Sequence, residues 1–205
     1  MPTRGRREWA QSALDCFLRQ SYPLKELVII DDLADPSFKS PGLGIEYWLS
    51  QSRNIGWKRN EACRMATGEI IMHWDSDDWS NSDRMAEQVA FLEASGKQVT
   101  GYSTLLFHEG NTGKWGRYLG DRHYSLGTSL CYFKSWWERH PFNEAVTVGE
   151  DNQFVSDAVN EGAFISQEGR GMMVARVHSD NTSPKDMGNF TGTVTPADIP
   201  VGFTA

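Results

Sequence analysis

The sequence predicts an α/β fold, a mostly parallel sheet flanked by helices on both faces, and three observations lead there. Helical and strand patterns alternate through the first half of the chain, as in successive βαβ units. The run Leu27-Val28-Ile29-Ile30 is apolar at every position, as in a strand covered on both faces rather than one. Two strand-like runs end in acids, Asp31-Asp32 and the trio Asp75, Asp77 and Asp78. Open α/β sheets collect their ligands at that carboxyl edge.

The elements follow in order. Trp9, Ala13, Cys16 and Phe17 recur at helical spacing, and "SYP" stops the pattern. After the first buried strand, "ADPSFKSPGLG" reads as loop from its Pro, Gly and Ser, and a weaker strand is expected over residues 45–49. Residues 58–66 read as a helix closed by Gly68, and residues 69–74 as the strand that runs into the aspartates. Ser80 and Asp83 match an S-x-x-D capping pair for a helix with Met85, Val89 and Leu92 on one face and Gly96 as its stop. Residues 99–107 are strand-rich. The segment "HEGNTGKWGRYLGDRHYSLG" then reads as a mobile loop. "TSLCYF", a short "KSWWERH" helix, a helix over residues 150–161 closed by Gly162, and a late strand in "GMMVARVH" follow. Residues 179–205 are polar and read as an arm or lid.

With 205 residues the chain suits one domain with a proper core. Its formal net charge of −7 gives no general attraction to nucleic acid or to an anionic membrane. Cys16, Cys63 and Cys131 are odd in number and widely spaced among apolar neighbours, so they read as buried free thiols, not as a disulfide or zinc framework. No apolar run nears the roughly 20 residues of a membrane helix, and "MPTRGRREW" is followed by no apolar signal segment. A soluble, cytoplasmic protein is expected. The patterns Asn181-Thr182-Ser183 and Asn189-Phe190-Thr191 would carry no glycan there.

The stretch "IIMHWDSDDW" poses the chemical question. Carboxylates crowded this closely repel one another. The repulsion is relieved when Mg²⁺ or Mn²⁺, which suit oxygen ligands, arrives with an anionic ligand such as a diphosphate. Helix capping with solvation is the plainer alternative. A calcium loop fails, because Trp79, Ser80 and Ala86 stand where that motif needs a ligand, a glycine and a closing glutamate.

Taken together, "MPTRGRREW", "ELVIIDD", "GWKRNEACRMATGEIIMHWDSDDW" and "GEDNQF" resemble, in order and approximate spacing, a family 2 glycosyltransferase with the GT-A fold. The likeness runs from Pro2 to about His178, and its most specific piece is the R-N…A-x-G-E-x-I…D-x-D-D block. It implies a domain over residues 1–178, with a nucleotide-sugar-binding half to residue 100 and an acceptor-binding half beyond. In such enzymes the positions of Pro2 and Thr3 touch the nucleotide, with Arg7 near the phosphates, and Asp31 or Asp32 accepts from base or ribose. Arg59 and Asn60 match the R-N pair that shapes the nucleotide pocket. Asp75, Ser76 and Asp77 match the D-x-D that bridges ribose and metal, with Asp78 behind, and His178 matches a further metal ligand. Glu150 and Asp151 match the family's E-D pair, Asp151 being the general base. The implied reaction is an inverting hexosyl transfer from a nucleotide diphosphate donor, UDP-sugar first, to a saccharide or other hydroxyl acceptor. Mn²⁺ or Mg²⁺ would neutralise the leaving diphosphate. Trp115, Trp136 and Trp137 offer stacking faces for sugars, whereas His73 reads as packing.

The chain also departs from the pattern. The family carries a full apolar strand ahead of the P-T pair, and here Pro2 follows Met1 directly. Either the natural chain starts upstream of Met1, or the first strand is truncated and its edge is expected to be covered by the tail or by a second copy in a homodimer. A nucleotidyltransferase would open on a Gly-rich phosphate loop, which "PTRGRREW" is not, and neither G-x-G-x-x-G nor a Walker lysine motif occurs. A catalytically inactive carbohydrate- or nucleotide-binding protein on the same fold stays open as the alternative.

Overall fold

The computed structural model describes residues 1–33, 44–183, 185–190 and 192–203, so most of the "ADPSFKSPGLG" loop lies outside the described residues. The order is β1 (Pro2–Thr3), α1 (Arg7–Leu18), β2 (Leu27–Asp31), β3 (Ile45–Leu49), α2 (Ile55–Met65), β4 (Ile70–Met72), β5 (Trp79–Ser80) and α3 (Arg84–Ser95). There follow β6 (Val99–Glu109), β7 (Lys114–Leu119), β8 (Cys131–Phe133), α4 (Lys134–Arg139), α5 (Glu150–Asn160), β9 (Phe164–Glu168) and β10 (Met173–Val177).

Strand β2 is buried at every position, as its apolar run requires, and lies parallel to β1 on one side and β3 on the other. The second sheet is mixed, in the order β4-β8-β6-β10-β5, with β7 and β9 also paired to β6. Long β6 runs parallel to β9 and β10 and antiparallel to β7 and β8. The first strand is present as two residues, and Met1 prolongs its ladder: its amino group donates to the Val28 carbonyl at 2.5 Å and its carbonyl accepts from Ile30.

Three local expectations are corrected. The S-x-x-D cap does not form: Ser80 is drawn into β5, where its hydroxyl accepts from Arg84 Nη1 at 3.0 Å, and the Asp83 carboxylate is taken by the Ser21 hydroxyl. Gly96 does stop α3, in the left-handed region at φ 65° that a glycine enters without strain. The Gly- and aromatic-rich segment is no loop throughout, because its centre is β7, paired with β6 from Thr104↔Leu119 to Glu109↔Lys114. That ladder satisfies backbone groups which a loop would leave to water. Trp136 and Trp137 are core residues, packed with Tyr132, Phe142 and Phe154, and are not sugar platforms.

The segment after β10 folds back on the domain. Phe190 stacks on Phe107 with ring centres 4.1 Å apart, and Phe203 sits edge-on to Trp79, His108 and Trp115. Arg117 pairs with Asp198 at 2.5 Å. The tail's bridge, Gly192 to Arg117, is to β7 and not to β1, because β7 and the rim of β10 present the apolar side chains that its aromatics need.

Candidate active site

A cleft of about 510 Å³ opens where β1, β2 and β4 end. It is lined by Pro2, Thr3, Asp32, Arg59, Asp75, Ser76, Asp77, Glu150 and Asp151, so most of the residues singled out in the sequence share one space. Local rules place them there. Asn54 caps α2 by accepting from Trp57 N at 3.0 Å, which starts the helix that carries Lys58 and Arg59. Gly149, at φ 83°, turns the chain so that Glu150 and Asp151 open α5, where the helix dipole favours anions.

Arg59 is the hub. Its Nη1 donates to Asp75 at 3.3 Å and its Nε to Glu150 at 3.0 Å, tying the aspartate loop to α5. Burial by itself would lower the guanidinium pKa, but Asp75, Glu150 and Asp151 together raise it above the ordinary value. Glu150 is raised too, by its own burial, against the pull of Arg59. The two shifts differ in cause because the cation has three acids beside it and Glu150 has one cation.

Asp77 Oδ2 accepts from Arg6 Nη1 at 2.6 Å and lies 3.1 Å from His178 Nε2, and Arg6 also donates to the Asp180 carbonyl. Asp78 is buried behind it, and burial, then Asp77 and Asp75, push its carboxyl up to about 8. Its oxygens meet the Thr128 hydroxyl and, at 3.1 Å, the Arg176 backbone N–H. Arg176 in turn donates to the Asp77 carbonyl at 3.1 Å, with its guanidinium 4.9 Å from the Trp9 ring centre.

The remaining candidates divide. Lys58 Nζ pairs with Asp32 at 2.9 Å and donates to the Thr3 carbonyl at 2.9 Å. Asp32 Oδ1 and Thr3 Oγ1 are buried without a hydrogen-bond partner, two polar atoms at the cleft wall that a ligand would satisfy. Asp31 is committed to the fold, accepting from Leu33 N and from the Tyr47 hydroxyl at 2.8 Å. Asn60 does not line the cleft: its amide holds Phe142 and Trp137, which fixes the segment after α4. Arg7 is exposed on the first turn of α1, and Arg6, one residue earlier at the N-cap, reaches the aspartates instead. His178 meets the site through Asp77 and stacks on Trp9. The sequence reading missed Arg6, Lys58, Thr128 and Arg176. Only Lys58, beside Arg59 in the same motif, had a signal that could have found it.

Among the described residues no three His, Cys, Asp or Glu side chains converge to hold a metal. The donor chemistry nevertheless fits one. Asp77 Oδ2 and His178 Nε2 are 3.1 Å apart with Asp75 on the same loop, and Mg²⁺-like ions use one or two carboxylates completed by substrate phosphates.

The mixed sheet, with helices packed on it and an acid-lined cleft at the strand ends, is that of the GT-A glycosyltransferases. The chain belongs to Glycosyl transferase family 2, whose profile matches residues 1–165. Among curated proteins it is 29% identical over 103 residues to the amylovoran biosynthesis glycosyltransferase AmsB of Erwinia amylovora, covering 45% of this chain and 34% of that protein. It is 25% identical over 114 residues to the putative teichuronic acid biosynthesis glycosyltransferase TuaG of Bacillus subtilis, covering 51% and 45%. The chain thus spans less than half the length of these relatives. Among solved structures, S. aureus TarS 1–349 in complex with UDP-GlcNAc superposes with a TM-score of 0.70 at 20% identity, covering 96% of this chain and 61% of that one. The mannosyltransferase PcManGT of Pyrobaculum calidifontis, in complex with GDP-Man and Mn²⁺, gives 0.68 at 18% identity, covering 88% and 56%. No described helix is long and apolar enough to cross a membrane.

Proposed function

We propose that this protein is a metal-assisted, inverting hexosyltransferase that moves a sugar from a nucleotide diphosphate, UDP-sugar first, to an acceptor hydroxyl. The observation that carries the reading is Arg59, which binds Asp75 on one wall of the cleft and Glu150, beside Asp151, on the other. Asp32, Thr3 and Lys58 supply donors and acceptors for the nucleoside, with Pro2 at the wall. Asp75, Asp77 and His178 are the residues that would hold the divalent ion, and Ser76 lies between the two aspartates. When bound, that ion supplies the positive charge that a departing diphosphate needs. Arg6, a cation already at Asp77, adds to it. Asp151 takes the proton of the acceptor hydroxyl as the oxygen attacks the anomeric carbon from the side opposite the diphosphate, which inverts that centre. Arg59 keeps both acids in place, so that the encounter is effectively unimolecular. Residues 181–183 and Lys185 border the cleft and suit a lid. Three buried free cysteines suit a cytoplasmic setting.

Similar structures hold UDP-GlcNAc or GDP-Man, so calorimetry with UDP, GDP and CDP, with and without Mn²⁺, tests the donor site. Metal-dependent binding of one diphosphate, lost in Asp77→Asn, is expected. Equal binding in wild type and Asp77→Asn would reject the metal assignment. Asp151→Asn is expected to keep donor binding and lose transfer by about 10²-fold or more. Unchanged transfer would reject the base and leave a binding protein as the better reading.

A further inference from the structure

A single turn, Gly127–Ser129, stands between the two walls of the cleft and touches both. On the aspartate side the Thr128 hydroxyl donates to Asp78 Oδ2, directly behind Asp77. On the α5 side Gly127 lies flat against the Asp151 side chain: a Cβ placed on Gly127 would overlap the carboxylate. Gly127 has no positive φ, so the constraint there is space and not backbone strain.

Buried groups hold this turn from beneath. His73 Nδ1 lies 2.6 Å from the Gly127 carbonyl, and burial keeps the ring neutral, so the nitrogen donates to it. Arg84 Nη2 donates to the Thr128 carbonyl at 3.1 Å and to the His73 carbonyl at 2.9 Å, and Gln88 Nε2 donates to the Ser129 carbonyl at 2.7 Å. Arg84 and Gln88 are each 1% exposed. A buried guanidinium is costly unless its donors are used, and here they join the chain entering the aspartate loop to the turn that backs Asp151. The two walls are thereby linked by a second route, independent of Arg59.

We propose that the Gly127–Ser129 turn is a positioning element for catalysis, in which the bare face of Gly127 fixes where the Asp151 carboxylate stands relative to the donor aspartates. The proposal rests on Asp151 being the base. A displacement of about 1 Å at a reacting group is enough to cost on the order of 10²-fold in rate. A methyl group on Gly127 forces a displacement of that kind, since the three atoms nearest to it all belong to the Asp151 side chain, and the variant is expected to stay folded, which its urea unfolding checks.

The test measures transfer or slow hydrolysis of UDP-GlcNAc and GDP-mannose, with UDP and GDP calorimetry in parallel, for wild type, Gly127→Ala, Asp151→Asn and the double variant. Gly127→Ala is expected to lower kcat by about 10²-fold while donor KM and nucleotide affinity stay within about twofold. In the Asp151→Asn background the alanine is expected to add nothing, which a general structural role would not produce. Arg84→Lys, which keeps the charge and loses the link between His73 and Thr128, is expected to show the same split at about tenfold. If Asp151→Asn is inactive while Gly127→Ala keeps kcat, or loses kcat and nucleotide affinity together, the positioning role is overturned. If Asp151→Asn is fully active, the base assignment fails instead.

Discussion

Arg59 shows how much one side chain decides. Its guanidinium is nearly buried between Asp75 and Glu150, and removing it leaves two acids facing each other without a cation. Arg59→Met is expected to cost about 3–5 kcal/mol in unfolding free energy, because an uncompensated buried charge is worse than either a pair or none. Urea unfolding at neutral pH reads this, and a loss below about 1 kcal/mol would mean that Glu150 neutralises itself by taking up a proton. Asn60, its neighbour in the sequence, does a different job. The amide is saturated by the Phe142 backbone, the Glu144 carboxylate and Trp137 Nε1, so Asn60→Ala is expected to destabilise the protein by about 2 kcal/mol, with UDP affinity almost unchanged. The R-N pair was legible as a unit, but its division into one residue that lines the cleft and one that holds the fold was not. Successive helix positions lie about 100° apart, and what each faces is a tertiary fact.

At the scale of elements the tail carries the main surprise. Residues 179–205 read as a polar arm or lid with few core residues, and among the described ones Phe190 and Phe203 pack on β6, β7 and β10. Phe203→Ala is expected to free the tail to proteolysis while the domain stays folded, and a tail as resistant as wild type would show that Arg117–Asp198 and Phe190 hold it alone. His108 adds a pH dependence. Burial, then Arg176, lowers its pKa below the ordinary value of about 6.5, so the unfolded chain binds the proton more readily than the fold. Stability from this contact is complete above about 6.5 and is lost as pH falls from there towards the folded pKa. Tail protection should therefore drop between neutral pH and the acid side of 6, and His108→Phe should flatten that drop. Strand β7 was hidden for a related reason: Lys114–Leu119 has no clean alternation, and its partner β6 supplies the register.

For the whole molecule, the consequence of the cleft is linkage. A metal and a nucleoside diphosphate that bind only the folded chain stabilise it by about 2.7 kcal/mol at a hundredfold excess over Kd. In a domain of this size that raises Tm by roughly 5–10 °C. The rise is expected with Mn²⁺ and UDP together, to be much smaller with either alone, and to vanish in Asp77→Asn. A full shift with UDP alone would point to Arg6 and Lys58 as the cations that hold the diphosphate.

The class was legible in the chain: the doubly buried strand, the acids at strand ends and the order of the motifs led to the α/β fold and to the family without any contact being known. The residues that the sequence singled out at strand and helix ends, Asp32, Arg59, Asp75, Asp77, Glu150 and Asp151, line one cleft. That Arg6 and not Arg7 reaches Asp77, that Trp136 and Trp137 are core, and that a glycine on a distant turn backs Asp151 emerge from the packed fold. Periodicity and propensity act over a few residues and are written in the chain. Which side chain meets which at separations of 71 or 24 positions follows from how the sheets pack, and no local pattern records it.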